Sequence, residues 1–160
     1  MSSKKRVLMV CLGNSCRSPI AEAIFATEIK RMGIEDDWDV DSAAVLDYHV
    51  GNSPEPRAQA VLINKGITDY NHKARKITEV DFYTFDWILG MDYYVMTELF
   101  SIQPPNSKAV IELLGKYHTN GEINIRDPLF DNDSSGFEET FDISLVCILN
   151  FLDLYKEAHT

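Results

Sequence analysis

The tightest constraint on the fold is a change of hydrophobic period close to the N-terminus. Arg6-Val-Leu-Met-Val-Cys-Leu12 is a short apolar run of the kind that forms a buried strand, and it stops at the turn signal Gly13-Asn14. After Pro19, Ile20, Ala23, Ile24, Thr27, Ile29 and Met32 form a stripe at helical spacing, and Gly33 supplies the stop. A strand feeding directly through a short loop into a helix is half of a crossover unit. The helix must fold back on the sheet and deliver the chain to a parallel neighbour.

The rest of the chain repeats this alternation. Trp38-Asp-Val-Asp-Ser42 reads as a second strand, and Pro54 to Lys65 as a helix closed by Gly66, with Pro54 and Pro56 confined to its start. Phe85 to Met91 is a third strand, Tyr93 to Phe100 a short helix and Lys108 to Leu114 a fourth strand. Residues 115–135 are rich in Gly, Pro, Asn and Asp and read as loop, and Glu138 to Ala158 has the spacing of a closing helix. The expectation is one α/β domain over residues 1–160, a parallel sheet with helices on both faces. A chain of 160 residues with 45% apolar content suits a single core.

No apolar stretch reaches membrane-spanning length, and the short run after the basic N-terminus lacks the form of a secretory leader. Three cysteines, an odd number, point to free thiols and a cytoplasmic location. A formal charge of -10 disfavours nucleic acid and anionic membrane as partners. The acids crowded into the C-terminal half read as a solvated face before they read as a surface for basic peptides.

Ligands of such sheets bind beyond the carboxyl ends of the strands, where the loop from Cys11 to Ser18 is expected. In Cys11-Leu12-Gly13-Asn14-Ser15-Cys16-Arg17-Ser18, five residues separate a thiol from a guanidinium. A loop of that length can curl its backbone N–H groups around one anion at a helix N-terminus, with Gly13 relieving the tight turn. Arg17 can hold two phosphate oxygens with its planar fork. The same donors stabilise a thiolate, which makes Cys11 a nucleophile, and Ser18 can donate to it. Hydrolysis through a phosphocysteine also requires a general acid. Asp127-Pro128 is either that carboxylate or an ordinary turn dipeptide.

Val10-Cys-Leu-Gly-Asn-Ser-Cys-Arg-Ser-Pro-Ile-Ala-Glu-Ala-Ile24 resembles the signature of the low-molecular-weight protein tyrosine phosphatases. Asp41-Ser-Ala-Ala44, Pro56-Arg57-Ala58, His72-Lys-Ala-Arg75, Met91-Asp92, Ile111-Glu-Leu-Leu-Gly115 and Asp127-Pro128 resemble further segments of that family in order, so the likeness spans essentially the whole chain. The resemblance implies a four-stranded parallel sheet and a monomer needing no metal or other cofactor. It implies Cys11 as nucleophile, Arg17 as phosphate clamp, Ser18 as thiolate stabiliser and Asp127 as acid, then base. Leu12, Gly13, Asn14, Ser15 and Cys16 would surround the phosphate, Asn14, Ser42 and His72 would brace the loop, and Cys16 would trap oxidised Cys11 as a disulfide. Substrates would be phosphotyrosine proteins or small aryl and acyl phosphates.

The chain departs from the family pattern at the groove. Leu129 and Phe130 stand where tyrosines are usual, Tyr48 where some members carry tryptophan, and Ser15 replaces a common large apolar residue. The walls are then Leu12, Tyr48, His49, Leu129 and Phe130, and one lost ring contact forfeits about 0.5–1.5 kcal/mol. Two other functions share the motif: a phosphate-dependent binding protein without turnover, and an arsenate reductase, which would need resolving cysteines where only Cys147 lies beyond the loop. A zinc site lacks a second cysteine pair. Cys147 reads as core, Asp92 as either a helix cap or a contact to the loop, and Phe82, Tyr83, Phe85, Trp87, Tyr93 and Tyr94 as packing.

Overall fold

A computed structural model describes residues 3–157. Its strands are β1 (Lys5–Cys11), β2 (Trp38–Ala44), β3 (Trp87–Gly90) and β4 (Val110–Leu113). Its helices are α1 (Arg17–Arg31), α2 (Pro56–Asn64), α3 (Asp81–Thr84), α4 (Tyr93–Ile102) and α5 (Ser135–Tyr155). The four strands are all parallel in the order β2-β1-β3-β4. The chain leaves β1 toward β2 on one side and later returns to β3 on the other. The β1–α1 loop therefore opens at the point where the strand order reverses, the usual ligand crevice of an open α/β sheet.

Val7 to Cys11 is buried on both faces of the sheet, which is why the run is continuously apolar instead of alternating. Successive side chains point to opposite faces. Val7, Met9 and Cys11 enter the core shared with α1, α2 and α5, whereas Leu8 and Val10 meet Phe82, Phe85, Val95 and Leu99 from α3 and α4 on the other side. Under α1 and α5, Trp38 lies edge-on to Phe25 and Phe151 and stacked on Trp87, with ring centroids 5.5–5.9 Å apart.

Gly33 and Gly66 end α1 and α2 as the sequence predicts, each in the left-handed conformation. Ile34 N–H donates to Ile29 C=O and Ile67 N–H to Leu62 C=O, the long bond that closes a Schellman cap. Several boundaries differ. Helix α1 begins at Arg17, two residues before Pro19, because the end of the loop is itself the first helical turn. Helix α5 begins at Ser135, β3 is shorter than Phe85 to Met91, and α3 occupies a stretch without helical periodicity. The expected end of α5 at Ala158 lies outside the described residues. Phe82 and Phe85 are core, but Tyr83, Tyr93 and Tyr94 are exposed, a correction that follows from their places on solvent faces of short helices.

Gly115 carries a packing constraint with consequences for the site. A Cβ there would lie 1.8 Å from the Ile123 carbonyl oxygen, a backbone atom that has no rotamer to yield. The adjoining Ile125 donates its N–H to Met91 C=O at 2.8 Å and so extends the carboxyl end of the sheet. Gly115→Ala is expected to destabilise the fold by about 1–3 kcal/mol or more, lowering the thermal midpoint by roughly 5 °C or more. An unchanged midpoint in a melting experiment would show that residues 115–125 yield freely.

Candidate active site

The loop between β1 and α1 is organised around Asn14. This residue, not Gly13, adopts the left-handed conformation, at φ 56°, which corrects the expectation that the glycine takes the tight turn. Gly13 is needed for space instead, since a Cβ there would sit 2.7 Å from Cδ2 of His49. Asparagine tolerates the left-handed region better than most residues, and its side chain is fully used. Its Nδ2 donates to Ser18 Oγ at 2.8 Å and to Ser42 Oγ at 3.0 Å. Its Oδ1 accepts from Arg75 N–H at 3.1 Å and lies 2.7 Å from His72 Nε2.

This arrangement sets the direction of the neighbouring hydroxyls. Each accepts a proton of the Asn14 amide and must direct its own elsewhere. Ser18 is left to donate to Cys11 Sγ, 3.0 Å away, and Ser42 to Glu22 Oε1 at 2.6 Å. Asn14 N–H adds a second donor to Cys11 Sγ at 3.2 Å. With the N-terminus of α1 directly behind the loop, the sulfur sits where negative charge is favoured.

Behind Ser42 is a cluster that the sequence did not signal. Glu22 Oε1 also accepts from Tyr70 OH at 2.8 Å and lies 3.5 Å from His72 Nδ1. Burial pushes the Glu22 carboxyl up to about 7, against the Ser42 and Tyr70 hydrogen bonds that favour the carboxylate. Burial likewise lowers His72, with Asp41 opposing. Glu22, Asp41 and His72 place ligand-type atoms within 4.8 Å of one another. Each is already engaged, Glu22 as above, His72 by Asn14, and Asp41 by Arg75, which donates from Nε at 3.1 Å. Their chemistry is that of a brace, not of a metal centre.

The guanidinium of Arg17 is only 2% exposed. Its Nη1 donates to Asp92 Oδ2 at 2.6 Å and to Ile125 C=O at 2.8 Å, and its Nη2 lies 3.5 Å from Asp127 Oδ2. Burial pulls Arg17 down, but Cys11, Asp92 and Asp127 more than reverse it, so the cation is secure. Asp92 does both things that the sequence left open, since its Oδ1 also caps α4 by accepting from Val95 N–H at 2.8 Å. Its position just past the carboxyl end of β3 was the available signal.

Cys11, Arg17 and Asp127 share one cleft of about 530 Å³, lined also by Leu12, Tyr48, His49, Leu129 and Phe130 and by Ser15, Cys16, Glu55 and Arg57. Tyr48 is 70% and Phe130 91% exposed, so both rings stand at the open rim of the cleft. A wider cleft of about 700 Å³ between α1 and residues 66–71 has none of this chemistry. Cys16 is buried beside Cys11, and burial together with the Cys11 charge raises its thiol far above the usual range. Cys147 is core, pushed up to about 12 by burial.

The raised Glu22 carboxyl has a consequence for stability. It faces His72, Asp41, Arg75 and Tyr70, and its protonated form is favoured by folding. That contribution is complete below about pH 4.5 and is lost as pH rises through about 7, at about 1.4 kcal/mol per pH unit, on the order of 3 kcal/mol. Urea unfolding from pH 4.5 to 7 should show the wild type losing stability relative to Glu22→Gln. Parallel pH curves for the two proteins would contradict a neutral Glu22.

Comparison with known proteins accords with this geometry. The family model described as "Low molecular weight phosphotyrosine protein phosphatase" matches residues 6–148. The protein of that name from Sus scrofa is 46% identical over 151 residues, covering 93% of this chain and 94% of the relative. Among solved structures, Primo-1 superposes with a TM-score of 0.90 at 37% identity, covering 96% of this chain and 99% of the other. The Drosophila arginine phosphatase DARP does so with a TM-score of 0.88, at the same identity and coverage. Matched along nearly its whole length in sequence and in fold, the chain belongs to the low molecular weight phosphotyrosine protein phosphatase family.

Proposed function

We propose that this protein hydrolyses phosphate monoesters, phosphotyrosine in proteins foremost, through a phosphate carried on Cys11. The observation that carries this reading is the one-way hydrogen-bond chain Asn14–Ser18–Cys11, which aims a donor at the sulfur at the floor of a cleft shared with Arg17 and Asp127. The thiolate attacks phosphorus as the P–O bond to the leaving group breaks, and the departing oxygen takes a proton from Asp127. With Nη1 of Arg17 committed to Asp92 and Ile125, Nε and Nη2 are left to hold two phosphoryl oxygens as charge develops on them, Nη2 giving up its 3.5 Å pairing with Asp127 when the phosphate binds. In the second step Asp127 takes a proton from water, the water oxygen bonds to phosphorus and the S–P bond breaks. Inorganic phosphate leaves and the thiolate returns.

Tyr48, Phe130 and the edge of Leu129 offer a flat apolar surface to an aryl ring. A second reading has its own support. Ser15 puts a small polar residue in a cleft lined by the carboxylates of Asp127 and of Glu55, the latter held by Arg57, and a substrate guanidinium could share acceptors of that kind. The likeness to an arginine phosphatase points the same way, so phosphoarginine is a candidate substrate beside phosphotyrosine. Arsenate reduction finds no support, because the only thiol beyond the loop, Cys147, is fully buried in the core. No helix among the described residues is long and apolar enough to cross a membrane, and the three cysteines are unpaired. The net charge of -10 supports a protein that binds neither nucleic acid nor an anionic membrane surface, and the free thiols support a cytoplasmic location.

With chelator present, wild type should turn over an aryl phosphate, Cys11→Ser should not, and Asp127→Ala should lose about 10²–10⁴-fold. A folded wild type without turnover would favour a phosphate-dependent binding protein. Asn14→Ala deprives Ser18 and Ser42 of their orienting donor and forces alanine into the left-handed region, so kcat/KM is expected to fall by about tenfold or more. Activity close to wild type would mean the hydroxyls orient themselves. Phosphotyrosine and phosphoarginine peptides of one sequence, compared by kcat/KM, decide which leaving group the cleft prefers.

A further inference from the structure

The carboxylate of Asp127 sits on a loop that the strands and helices do not hold directly. Within residues 127–133, Asp127 Oδ1 accepts from Leu129 N–H and Asp131 N–H donates to Pro128 C=O. The side chains of Asp131 and Asp133 bond to the bordering residues Arg126 and Ser135, and Arg126 Nη1 also donates to Asp127 C=O at 3.4 Å. Beyond these local bonds and the Arg17–Asp127 pair, the hydrogen bonds found for this loop among the described residues come from one side chain, Arg57 of α2.

Arg57 grips the loop by its main chain. Its Nη1 donates to Asp131 C=O at 2.6 Å and, at 3.4 Å, to Asp133 C=O, and its Nη2 donates to Leu129 C=O at 2.7 Å. The plane of the fork lies over the Phe137 ring of α5, with 4.5 Å from guanidinium carbon to ring centre. Glu55 fixes the fork from the other side, accepting from Arg57 Nε at 3.0 Å and from Arg57 N–H at 2.7 Å. Glu55 N–H in turn donates to Ser15 C=O at 3.0 Å, inside the loop that holds Cys11. Residues 55–57 thus span the gap between the two catalytic loops, bonded to backbone on each side.

We propose that Arg57 is a positioning residue which sets the distance from the Asp127 carboxyl to the leaving oxygen over Cys11. The proposal rests on Asp127 being the general acid. A planar fork can satisfy two carbonyls at once while stacked on a ring, and an ammonium cannot. The spacing of acid and nucleophile is therefore written into α2, away from either reacting group. Misplacing a catalytic group by a fraction of its hydrogen-bond reach is enough to remove much of its effect.

The test is kcat/KM, which reads the step that expels the leaving group, on phenyl phosphate and dinitrophenyl phosphate. The two rings are similar, but only phenolate needs a proton to depart. Arg57→Met should lose about tenfold or more on phenyl phosphate and a few-fold at most on dinitrophenyl phosphate. Inhibition by inorganic phosphate should stay near the wild-type value, and adding the change to Asp127→Ala should cost little more. Arg57→Lys should show the same pattern in weaker form, and it carries the test if Arg57→Met does not fold. An equal loss on both esters, a matching loss of phosphate affinity, an additive loss in Asp127→Ala, or no loss at all would overturn the proposal. If Asp127→Ala itself lacked leaving-group dependence, the acid assignment would fall first and this proposal with it.

Discussion

The amide of Asn14 is the interaction on which the rest of the site depends. Buried and left-handed, it satisfies two donors and two acceptors with groups from three segments: Ser18 on α1, Ser42 on β2, and His72 and Arg75 in the stretch beyond α2. A primary amide can donate twice and accept twice, and here every capacity is used, which removes the freedom of both hydroxyls to rotate. The loop is held open around an anion by its own side chains, so little reorganisation remains for the moment when phosphate arrives.

Charge is handled with the same economy. Burying a guanidinium is costly unless it is paired, and removing one partner of such a pair costs about 3–5 kcal/mol. Arg17 meets this with Asp92, itself committed to the first turn of α4, and with the Ile125 carbonyl. These partners occupy one face of the guanidinium and leave the remaining hydrogens toward the cleft. The loop that carries Asp127, by contrast, is fastened to Arg57 by its backbone carbonyls, while the Asp127 carboxylate accepts from Leu129 N–H and lies 3.5 Å from Arg17 Nη2.

The sheet makes this convergence possible. Because β1 lies between β2 and β3, the carboxyl ends of three strands deliver Cys11, Ser42 and Asp92 to one edge, and α1 starts where the anion would sit. The helices α1 and α5 bury one face and α3 and α4 the other, so residues 7–11, which lead into the loop, are packed on both sides.

How much of this was legible in the chain differs by the range of the interaction. Period and punctuation are local, and they specified the strand–loop–helix start, the glycine caps at Gly33 and Gly66, the alternation of elements, and a loop in which a thiol and a guanidinium stand at phosphate-cradling distance. Boundaries blurred where a loop doubles as a helical turn, as at Arg17, or where a helix such as Asp81–Thr84 is too short to show a period. Glu22, Tyr70, Asp92, Glu55 and Arg57 were silent or ambiguous for a different reason. Each is an ordinary polar residue until the crossover connections bring segments up to about 80 residues apart within hydrogen-bond reach. The sequence by itself determined the chemistry available and the fold that could present it. Only the tertiary structure decided which hydroxyl points at sulfur and which arginine holds the acid, because the direction of a hydrogen bond depends on partners the chain places far away.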